Sequence, residues 1–570
     1  MSQFTVFLFR SEDHRWQDNA GVKHAVDLGL PIIFIACVDI KSWTRKWLLT
    51  EAMGKNRQVF KLQSLYELSV RLKHHTNLSL KFSSLSPLKT IEKLVHLDGF
   101  KNLVICEETG LYEQKEQNEL AKMCAENEIN FHSVWDQSFL SNQSLFDHIL
   151  SDGSEFKGKS LLSNENLPAL KLSCPDRAMS FMKVFESNMK SEASALEYAK
   201  ISGQMVDSWP FSDEFVAKTL DHQGKVSDLL QKLGLLSFES LLAKLEIFDL
   251  QTPKLNYDLV LNADSDILVN KNIYTGGESA AWFRLKDYIW NTHSAAVYKT
   301  ERKRSHGKYF SSKFAVWIHT GNISVRQIVN EIAQYEKKVL QNADTYYLVS
   351  ELMWREWTIL AAISSGPKLF SYHGDNQNFQ KWTGQYETLD FDSEIAQNYW
   401  KAWSTGQTGF PMIDAWMREL VSTGWVSNRG RQCLASFLIY NLKIDWRYGA
   451  EYMEHHFIDH HVGPNYVNWN IAAGIGWNKY SRVLNPIRES RKFDNSGEHI
   501  RTWCKEIQHL PDDFINIPWE YDGFVPQLYR NPILPKDAFK YQVPRPRFLK
   551  SCSVEEYKNH ADERQTQIVA

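Results

Sequence analysis

The sequence lacks the features by which secreted and membrane proteins are identified. No apolar run among its 570 residues approaches the roughly 18 residues that a membrane-spanning helix needs. The start, MSQFTVFLFRSEDHRW, has no charged segment followed by an apolar core, so we expect no secretory signal peptide. The seven cysteines are scattered without a CxxC pair, which favours reduced thiols over an iron–sulfur cluster. These absences predict a cytoplasmic or nuclear protein, or one inside an organelle, that is not secreted and does not enter a membrane.

The chain also lacks a large net charge. The 65 basic and 68 acidic residues leave a net charge of −3, so the chain as a whole is not an electrostatic binder of nucleic acid. A local basic patch is still sufficient for phosphate contacts. Residues 476–492 supply one, with five cationic side chains, one glutamate, and a tryptophan and a tyrosine between them. Such a run suits a nucleic-acid backbone, although charge runs are more often only solvated surface.

The apolar pattern predicts two kinds of architecture. Short β-rich runs alternate with helical periodicity at the start, which indicates a Rossmann-like α/β domain with a parallel sheet. From about residue 275 helical patterns dominate, which indicates an all-helical domain. We therefore divide the chain into an α/β domain (1–140), a connector with some helices (141–270), a helical domain (271–520) and a coil-rich tail (521–570).

The usual nucleotide and metal signatures are also absent. No GxGxxG follows the first strand pattern, and no HExxH occurs. The stretch HHFIDHH at 455–461 nevertheless holds four histidines and one aspartate, and a helix there would place His456 and His460 on one face. A zinc site needs three or four ligands and supporting contacts. The alternative is a polar helix end beside a buried site.

Three further stretches each allow a binding role and a purely structural one. YFSSKF (309–314) combines hydroxyls with a helix start, which fits an anion site or a simple N-cap. SELMWRE (350–356) spaces Glu351 and Arg355 for a helical ion pair, beside a planar ligand or within a packed helix. SNRGRQ (427–432) places arginines at a helix start, where they can hold phosphate or form a solvated face.

Taken together, the motifs resemble one family. GGESAAWFRLKDYIW, TYYLVSELMWRE, WSTGQTGFPMIDAWMRELVSTGWVSNRGRQCLASFL, DWRYGAEY, NYVNWN and RVLNP strongly resemble the photolyase/cryptochrome flavoproteins, and most of all their DASH cryptochrome branch. The resemblance implies an N-terminal antenna domain and a C-terminal helical domain that binds FAD. It thereby favours a flavin-site role for HHFIDHH and no metal.

The resemblance also implies which residues contact FAD. The phosphates would lie on the 311–314 stretch, Asp459 would pair with Arg431, and Asn465 would face the flavin N5. The full set of implied cofactor residues is Tyr298, Ser311, Ser312, Lys313, Phe314, Arg355, Asn428, Arg431, Asp459, His461 and Asn465.

Electron transfer and DNA contacts are implied in the same way. Trp469 would lie nearest the flavin, followed by Trp446 and then by Trp403 at the surface. The residues implied to contact a flipped pyrimidine dimer or the DNA around it are Arg302, Glu351, Trp354, Asn428, Arg429 and Gln432. In the antenna domain, Glu108 matches an acidic residue that holds a folate (5,10-methenyltetrahydrofolate), which is therefore a possible second chromophore.

The sequence departs from the family pattern at several places. His461 stands where a second aspartate is usual, Ile471 replaces an aromatic residue that would cradle the lesion, and FRSEDHRWQDN (9–19) is one residue longer than usual. The resemblance implies a monomer that repairs cyclobutane pyrimidine dimers by light-driven electron transfer, best in single-stranded DNA. The alternative is a blue-light receptor without repair, and a flavoprotein without photochemistry is a more distant third.

Overall fold

Five parallel strands form the centre of the N-terminal region, as the sequence predicts. The computed structural model describes residues 2–138, 195, 210–246, 274–374, 388–476 and 483–535. The sheet has the order β3-β2-β1-β4-β5. Its strands are β1 (Phe4–Phe9), β2 (Ile32–Cys37), β3 (Leu80–Ser83), β4 (Phe100–Cys106) and β5 (Asn130–Val134).

Alternating side chains give this sheet two buried faces. Phe7 and Phe9 pack on one side, and Val6 and Leu8 pack on the other, because successive strand residues point to opposite faces. The helices that cover it are α1 (Ala20–Asp27), α2 (Ile40–Trp43), α3 (Lys55–Thr76), α4 (Pro87–Leu94) and α5 (Leu111–Glu126). The strand order reverses at β1, so the loops after β1 and β4 meet at one crevice.

Part of the predicted connector belongs to the sheet layer. The predicted connector contains helices α6 (Asp213–Lys232) and α7 (Phe238–Lys244). Phe215 and Phe238 of these helices belong to the same apolar cluster as Phe7 and Phe9 of the sheet. Phe82 at the sheet edge also exchanges backbone hydrogen bonds with Leu236, at 2.8 and 2.9 Å. The remainder of 141–270, apart from isolated residues, lies outside the described residues.

Residues from 274 onward form helices and loops and no strand within the described ranges, which confirms the predicted fold class. A large apolar cluster joins these helices. They are α8 (Glu278–Lys286), α9 (Tyr298–Glu301), α10 (Ala315–Ile318), α11 (Val325–Lys338), α12 (Ala343–Ser365), α13 (Glu394–Ser404), α14 (Pro411–Thr423), α15 (Asn428–Ser436), α16 (Trp446–His456), α17 (Val462–Ala473), α18 (Pro486–Phe493), α19 (Glu498–Trp503), α20 (Asp512–Ile515) and α21 (Gln527–Arg530).

Buried ion pairs fasten the sheet region to the helices. Arg326 of α11 contacts Asp18 at 2.9 Å and Asp136 at 2.7 Å, and all three are buried. The charges of Asp18 and Asp136 outweigh the effect of burial and raise the pKa of Arg326. Gly321 (φ +77°) passes so close to the loop after β1 that a Cβ would lie 2.1 Å from the Glu12 carbonyl oxygen. The two regions therefore fix each other's loops at the crevice.

Candidate functional site

A cavity of about 480 Å³ opens among the helices of the C-terminal region. This volume is in the range of small-molecule sites, roughly 300–1,000 Å³. Its wall includes every residue implied by resemblance to contact the cofactor or the lesion: Tyr298, Arg302, Ser311, Ser312, Lys313, Phe314, Glu351, Trp354, Arg355, Asn428, Arg429, Arg431, Gln432, Asp459, His461 and Asn465. Residues that are up to 167 positions apart thus converge on one space.

The 311–314 loop forms one end of the cavity. Arg284 of α8 ties it down by donating to the carbonyl oxygens of Ser311 and Ser312 at 2.8 and 3.0 Å. Lys313 has a left-handed backbone (φ +58°), which an ordinary residue adopts only under constraint. The loop is therefore held in shape by a side chain that the sequence motifs did not indicate.

Lys313 carries a half-buried cation in this loop. Its Nζ lies 4.9 Å from the centre of the Trp425 ring and 5.5 Å from that of Phe310. Burial and the positive charge of Arg284 lower the pKa of Lys313 to about 8. An anion bound here would favour the charged form, so the environment suits a phosphate.

Arg431 and Asp459 form the predicted pair. The Arg431 Nη2 lies 2.7 Å from Asp459 Oδ2, and its guanidinium stacks over Phe457 at 3.9 Å. Asp459 is 4% exposed, and its Oδ1 accepts no hydrogen bond from the protein. Asp459 is one of the residues that line the cavity, where a carboxylate is an acceptor for a ligand's N–H or hydroxyl group.

Asn428 and Asn465 each lie in the first turn of a helix. Ser427 caps α15 by accepting from the Gly430 amide at 3.1 Å, which puts Asn428 at the first turn. Asn465 lies in the first turn of α17 and donates its side-chain nitrogen to the Ala450 carbonyl at 3.1 Å. The bond fixes the orientation of the Asn465 amide at the cavity.

The ion pair predicted between Glu351 and Arg355 is wrong. Glu351 contacts Arg302, and Arg355 contacts Glu356 at 3.4 Å and donates to the Gln137 carbonyl at 2.8 Å. Spacing of four along a helix permits a pair but does not select it, since partners from other segments compete. Burial lowers the pKa of Arg355, although the negative charge of Glu356 acts in the opposite direction.

The stretch HHFIDHH is not one helix, so His456 and His460 do not share a helical face. Helix α16 ends at His456 and α17 begins at Val462. His460 and His461 line the cavity, and His455 instead contacts the Glu51 carbonyl oxygen at 2.7 Å. Within the part of the chain that the structure describes, no three histidine, cysteine or acidic residues are grouped to hold a metal ion.

His461 is the N-cap of α17 and bridges to the sheet region. Its Nδ1 accepts from the Gly463 amide at 3.1 Å, so the network assigns the proton to Nε2. That nitrogen lies 3.3 Å from Glu12 Oε2 and 3.3 Å from Gln137 Oε1. Burial raises the pKa of Glu12, but His461 and Arg355 outweigh it, so the pKa lies below its ordinary value.

The three predicted electron-transfer tryptophans all adjoin α16. Trp469 lines the cavity, and a Cβ at Gly449 would lie 2.4 Å from its ring, so only glycine allows this approach. Trp446 is the first residue of the same helix, and Trp403 lies 5.6 Å from Tyr452 of that helix. Trp403 was expected at the surface, but it is 0% exposed. Half-buried Trp400, one helical turn before it, lies 5.5 Å away.

Glu108, the predicted antenna residue, is enclosed by the protein. It is buried, accepts from the Ser11 amide and lies 3.4 Å from Arg10. Burial raises its pKa, although Arg10 acts in the opposite direction. Its carboxylate is thus already engaged at the crevice after β1 and β4.

Sequence reasoning missed several wall residues. Besides Phe457, His319 and His460 line the cavity, and each has an Nδ1 with no hydrogen-bond partner. Burial lowers the pKa of both rings, so both are neutral. Asp459, His319, His460 and Arg355 all line the cavity, and each has a buried polar atom without a hydrogen-bond partner. With the Lys313 cation on the same wall, this set of donors and acceptors fits a polar ligand that carries phosphates.

Comparison with known proteins agrees with this geometry. A family model described as DNA photolyase matches residues 5–149, and one described as the FAD binding domain of DNA photolyase matches residues 347–541. Together they cover more than half of the chain. The chain belongs to the photolyase/cryptochrome family. Its C-terminal region is accordingly the FAD-binding domain of that family, and the residues on the cavity wall fit the cofactor.

Individual relatives point to the same branch. The chain is 42% identical over 248 residues to a Cryptochrome DASH of Synechocystis sp., and 39% identical over 245 residues to that of Danio rerio. Each match covers 43% of this chain, and 48% and 45% of the relatives, so it spans about half of their length. A solved Synechocystis cryptochrome superimposes with a TM-score of 0.70 at 26% identity, over 92% of this chain and 93% of that one. No helix among the described residues has the length and apolarity to span a bilayer.

Proposed function

We propose that this photolyase-family chain is a light-driven DNA repair enzyme, a deoxyribodipyrimidine photolyase that splits cyclobutane pyrimidine dimers, best in single-stranded DNA. One observation carries the proposal: a single cavity is lined both by the implied cofactor residues and by the implied lesion residues. A flipped pyrimidine dimer would therefore lie beside the cofactor. DNA is the proposed partner, and the protein acts as a monomer.

The cofactor end of the cavity would hold FAD through side chains of this chain. Lys313, Ser311 and Ser312 would hold the phosphates, and the Asp459 carboxylate would accept a hydrogen bond from the cofactor. When bound and reduced, FAD supplies the light-excited electron that opening of the dimer needs. Arg431 orients the Asp459 carboxylate through their 2.7 Å contact.

The mouth of the cavity would receive the lesion. Trp354 is half-buried and lies 5.5 Å from Trp357, so one aromatic face is braced by another. Arg302 and Arg429 supply positive charge for DNA phosphates. Arg302 is stacked near Tyr298 and Tyr347, at 5.5 and 5.0 Å, which pre-orders its long side chain.

The preference for single strands rests on Ile471. This residue lines the cavity where an aromatic ring would offer a stacking surface. Base–aromatic stacking contributes about 1–3 kcal/mol per base. Flipping a dimer out of duplex DNA costs a few kcal/mol, and single strands require less. Losing one stacking partner thus penalises duplex substrates most.

A blue-light receptor without repair is the second candidate, and one observation favours it. The implied lesion contacts Glu351 and Gln432 are already occupied, the first by Arg302 and the second by Arg429 at 2.7 Å. A dimer would have to exchange these bonds for its own. If the dimer does not displace these bonds, the protein absorbs light but does not repair DNA.

Other features remain proposals. The four-part division of the chain is one, although α6 and α7 attach part of the connector to the sheet. A folate antenna is another, and it would have to displace Arg10 from Glu108 or bind beside the pair. Location in the cytoplasm, nucleus or an organelle is a third.

Repair of a dimer-bearing oligonucleotide tests the proposal. We expect purified protein with reduced FAD to restore intact pyrimidines under blue light and not in the dark, faster on single strands than on duplex at matched salt. Glu351→Gln is the variant to compare with the wild type, because it weakens the ion pair with Arg302 without changing the size of the side chain. Flavin photoreduction without repair on either substrate would refute the enzyme and support the receptor.

A further inference from the structure

Glu12 and His461 join two places at which the sequence departs from the family pattern. His461 stands where a second aspartate is usual, and Glu12 belongs to the loop that is one residue longer than usual. In the folded protein Glu12 Oε2 lies 3.3 Å from His461 Nε2. His461 lines the cavity and Glu12 does not. A carboxylate is therefore present at this side of the cavity, but it comes from the sheet region and lies behind an imidazole ring.

Both nitrogens of His461 are engaged by the protein. Nδ1 accepts from the Gly463 amide at 3.1 Å and caps α17, so this nitrogen carries no proton. Nε2 lies 3.3 Å from Glu12 Oε2 and 3.3 Å from Gln137 Oε1. The side chain is 0% exposed. Because an imidazole has only these two polar atoms, His461 has none left for a ligand in the cavity.

Gln137 fixes the position of the His461 proton independently. Its side-chain nitrogen contacts two oxygens, Glu12 Oε2 and the Glu107 carbonyl oxygen, the second at 3.2 Å. An amide nitrogen donates, so these two acceptors determine which end of the amide is Nε2. The amide oxygen then faces His461, and it can only accept. His461 Nε2 must therefore carry the proton, as the cap at Gly463 also requires.

Glu12 brings negative charge to this contact. Its side chain is 17% exposed, and one of its oxygens accepts from both His461 and Gln137. Burial would raise the pKa of Glu12, but His461, Arg355 and Arg10 outweigh it, so the pKa lies below its ordinary value. Two N–H donors and two guanidinium groups thus favour the carboxylate form of this side chain.

The other titratable groups at the contact do not replace Glu12. The ring of His319 lies 5.1 Å from that of His461, and burial lowers its pKa, so this ring is neutral. Glu108 acts on Glu12 from the loop after β4, and burial raises the pKa of Glu108. Of these groups, Glu12 is therefore the one whose negative charge acts on His461.

We propose that Glu12 is a positioning residue of the cofactor site, which orients His461 through its Nε2–H and supplies negative charge to the site from the sheet region. This role relies on the FAD-binding domain and not on dimer repair. The charge acts on the cavity through the imidazole ring, one side chain away from the wall. Reduction adds negative charge to a flavin, so removing the charge of Glu12 should favour the reduced form.

Redox titration of bound flavin tests this role. At a fixed potential we expect Glu12→Gln to raise the ratio of reduced to oxidised flavin by about fivefold or more, the lower limit typical of coupled sites. Glu12→Asp keeps the charge and should restore most of the wild-type ratio. The control is Glu119→Gln on α5, since the 3.9 Å contact of Glu119 with Lys115 is exposed. Its flavin should titrate like that of the wild type.

The imidazole itself provides a second reading. Proton–nitrogen correlation spectra of protein with isotope-labelled histidine should show the His461 proton on Nε2, with the signal assigned by its absence in His461→Gln. In Glu12→Gln a neutral acceptor replaces a charged one, so the Nε2 resonance should move. In Glu119→Gln it should not.

A wild-type flavin potential in Glu12→Gln, even with reduced stability, would overturn the proposal, as would a proton on His461 Nδ1 in the wild type. The wild-type spectrum needs no variant at Glu12, so a folding defect does not prevent the test. Neither reading uses DNA. Absence of repair together with the expected shift in potential would refute the proposed enzyme and leave the role of Glu12 intact.

Discussion

The sheet region and the helical region both bury polar groups that find no partner, but they differ in what can satisfy them. Asp13 Oδ2 and His14 Nδ1 lie after β1 and do not line the main cavity. Their environment instead favours the neutral form of each: burial raises the pKa of Asp13 to about 7 and lowers that of His14 to about 3. In the helical region Asp459 Oδ1 and Arg355 Nε also lack partners, and both residues line a cavity of about 480 Å³. The unpaired groups of the helical region therefore lie in residues beside a cavity that has room for a ligand, whereas those of the sheet region favour their neutral forms.

The strongest way to break this comparison is to remove Asp459. Asp459→Ala should abolish FAD retention and reduce the free energy of unfolding by about 3–5 kcal/mol, because Arg431 is left partly buried without its partner. Flavin absorbance and urea unfolding measure the two effects. The matched control is Glu301→Ala, which removes the more exposed Arg304 pair (3.1 Å) and should change stability by no more than about 1 kcal/mol. Full FAD occupancy in Asp459→Ala would show that the cavity does not depend on this carboxylate.

The Asp13→Asn variant tests whether Asp13 of the sheet region has a raised pKa in the folded protein. The folded-state pKa of about 7 exceeds the ordinary 3.8, so the folded state keeps a proton that the unfolded state releases. Stability should therefore fall as pH rises from 3.8 to 7 and stay level above that window. Asparagine can still accept from the Arg10 amide, a bond of 2.9 Å, and it does not ionise.

The variant should consequently lose this component of the pH dependence. Between about pH 5.5 and pH 8 the stability of the wild type should fall by about 2 kcal/mol more than that of Asp13→Asn. Urea unfolding at the two pH values gives the difference, and the other titrating groups cancel because both proteins contain them. Parallel behaviour of the two proteins would mean that Asp13 is ionised in the folded state.

His461→Asp probes the boundary between the two regions and should have the smallest effect. Aspartate can still cap α17 at Gly463, but it replaces the donor facing Glu12 by a second carboxylate. The added negative charge should raise the pKa of Glu12 and shift the flavin midpoint potential to more negative values. The loss of stability should be about 1 kcal/mol, typical of contacting residues.

A double-mutant cycle with Glu12→Gln isolates this contact. Glutamine can donate to the new carboxylate, so the double variant should recover most of the stability and part of the potential. Redox titration at about pH 6 and pH 8 and urea unfolding provide the two readings. Additive effects of the two substitutions would show that His461 and Glu12 do not act on each other.

Much of the fold and of the cavity wall was predictable from sequence. The parallel sheet of the N-terminal region was expected, because buried parallel strands are short apolar runs with a strong local pattern. The cofactor and lesion residues were expected through motifs, and each of them lines one cavity. These features could be predicted because the strand pattern, the helix caps and the order of the motifs are local properties of the sequence.

Only the tertiary structure decided which side chains pair and which are covered. Glu351 contacts Arg302 rather than Arg355, and His461 faces Glu12, a residue more than 400 positions away in the chain. Trp403 is buried because α13 packs with α14 and its ring contacts Tyr452 of α16, which the helical periodicity of one segment cannot reveal. Charge pairing and burial depend on distances between segments that are remote in sequence, so they are properties of the packed molecule rather than of any local pattern.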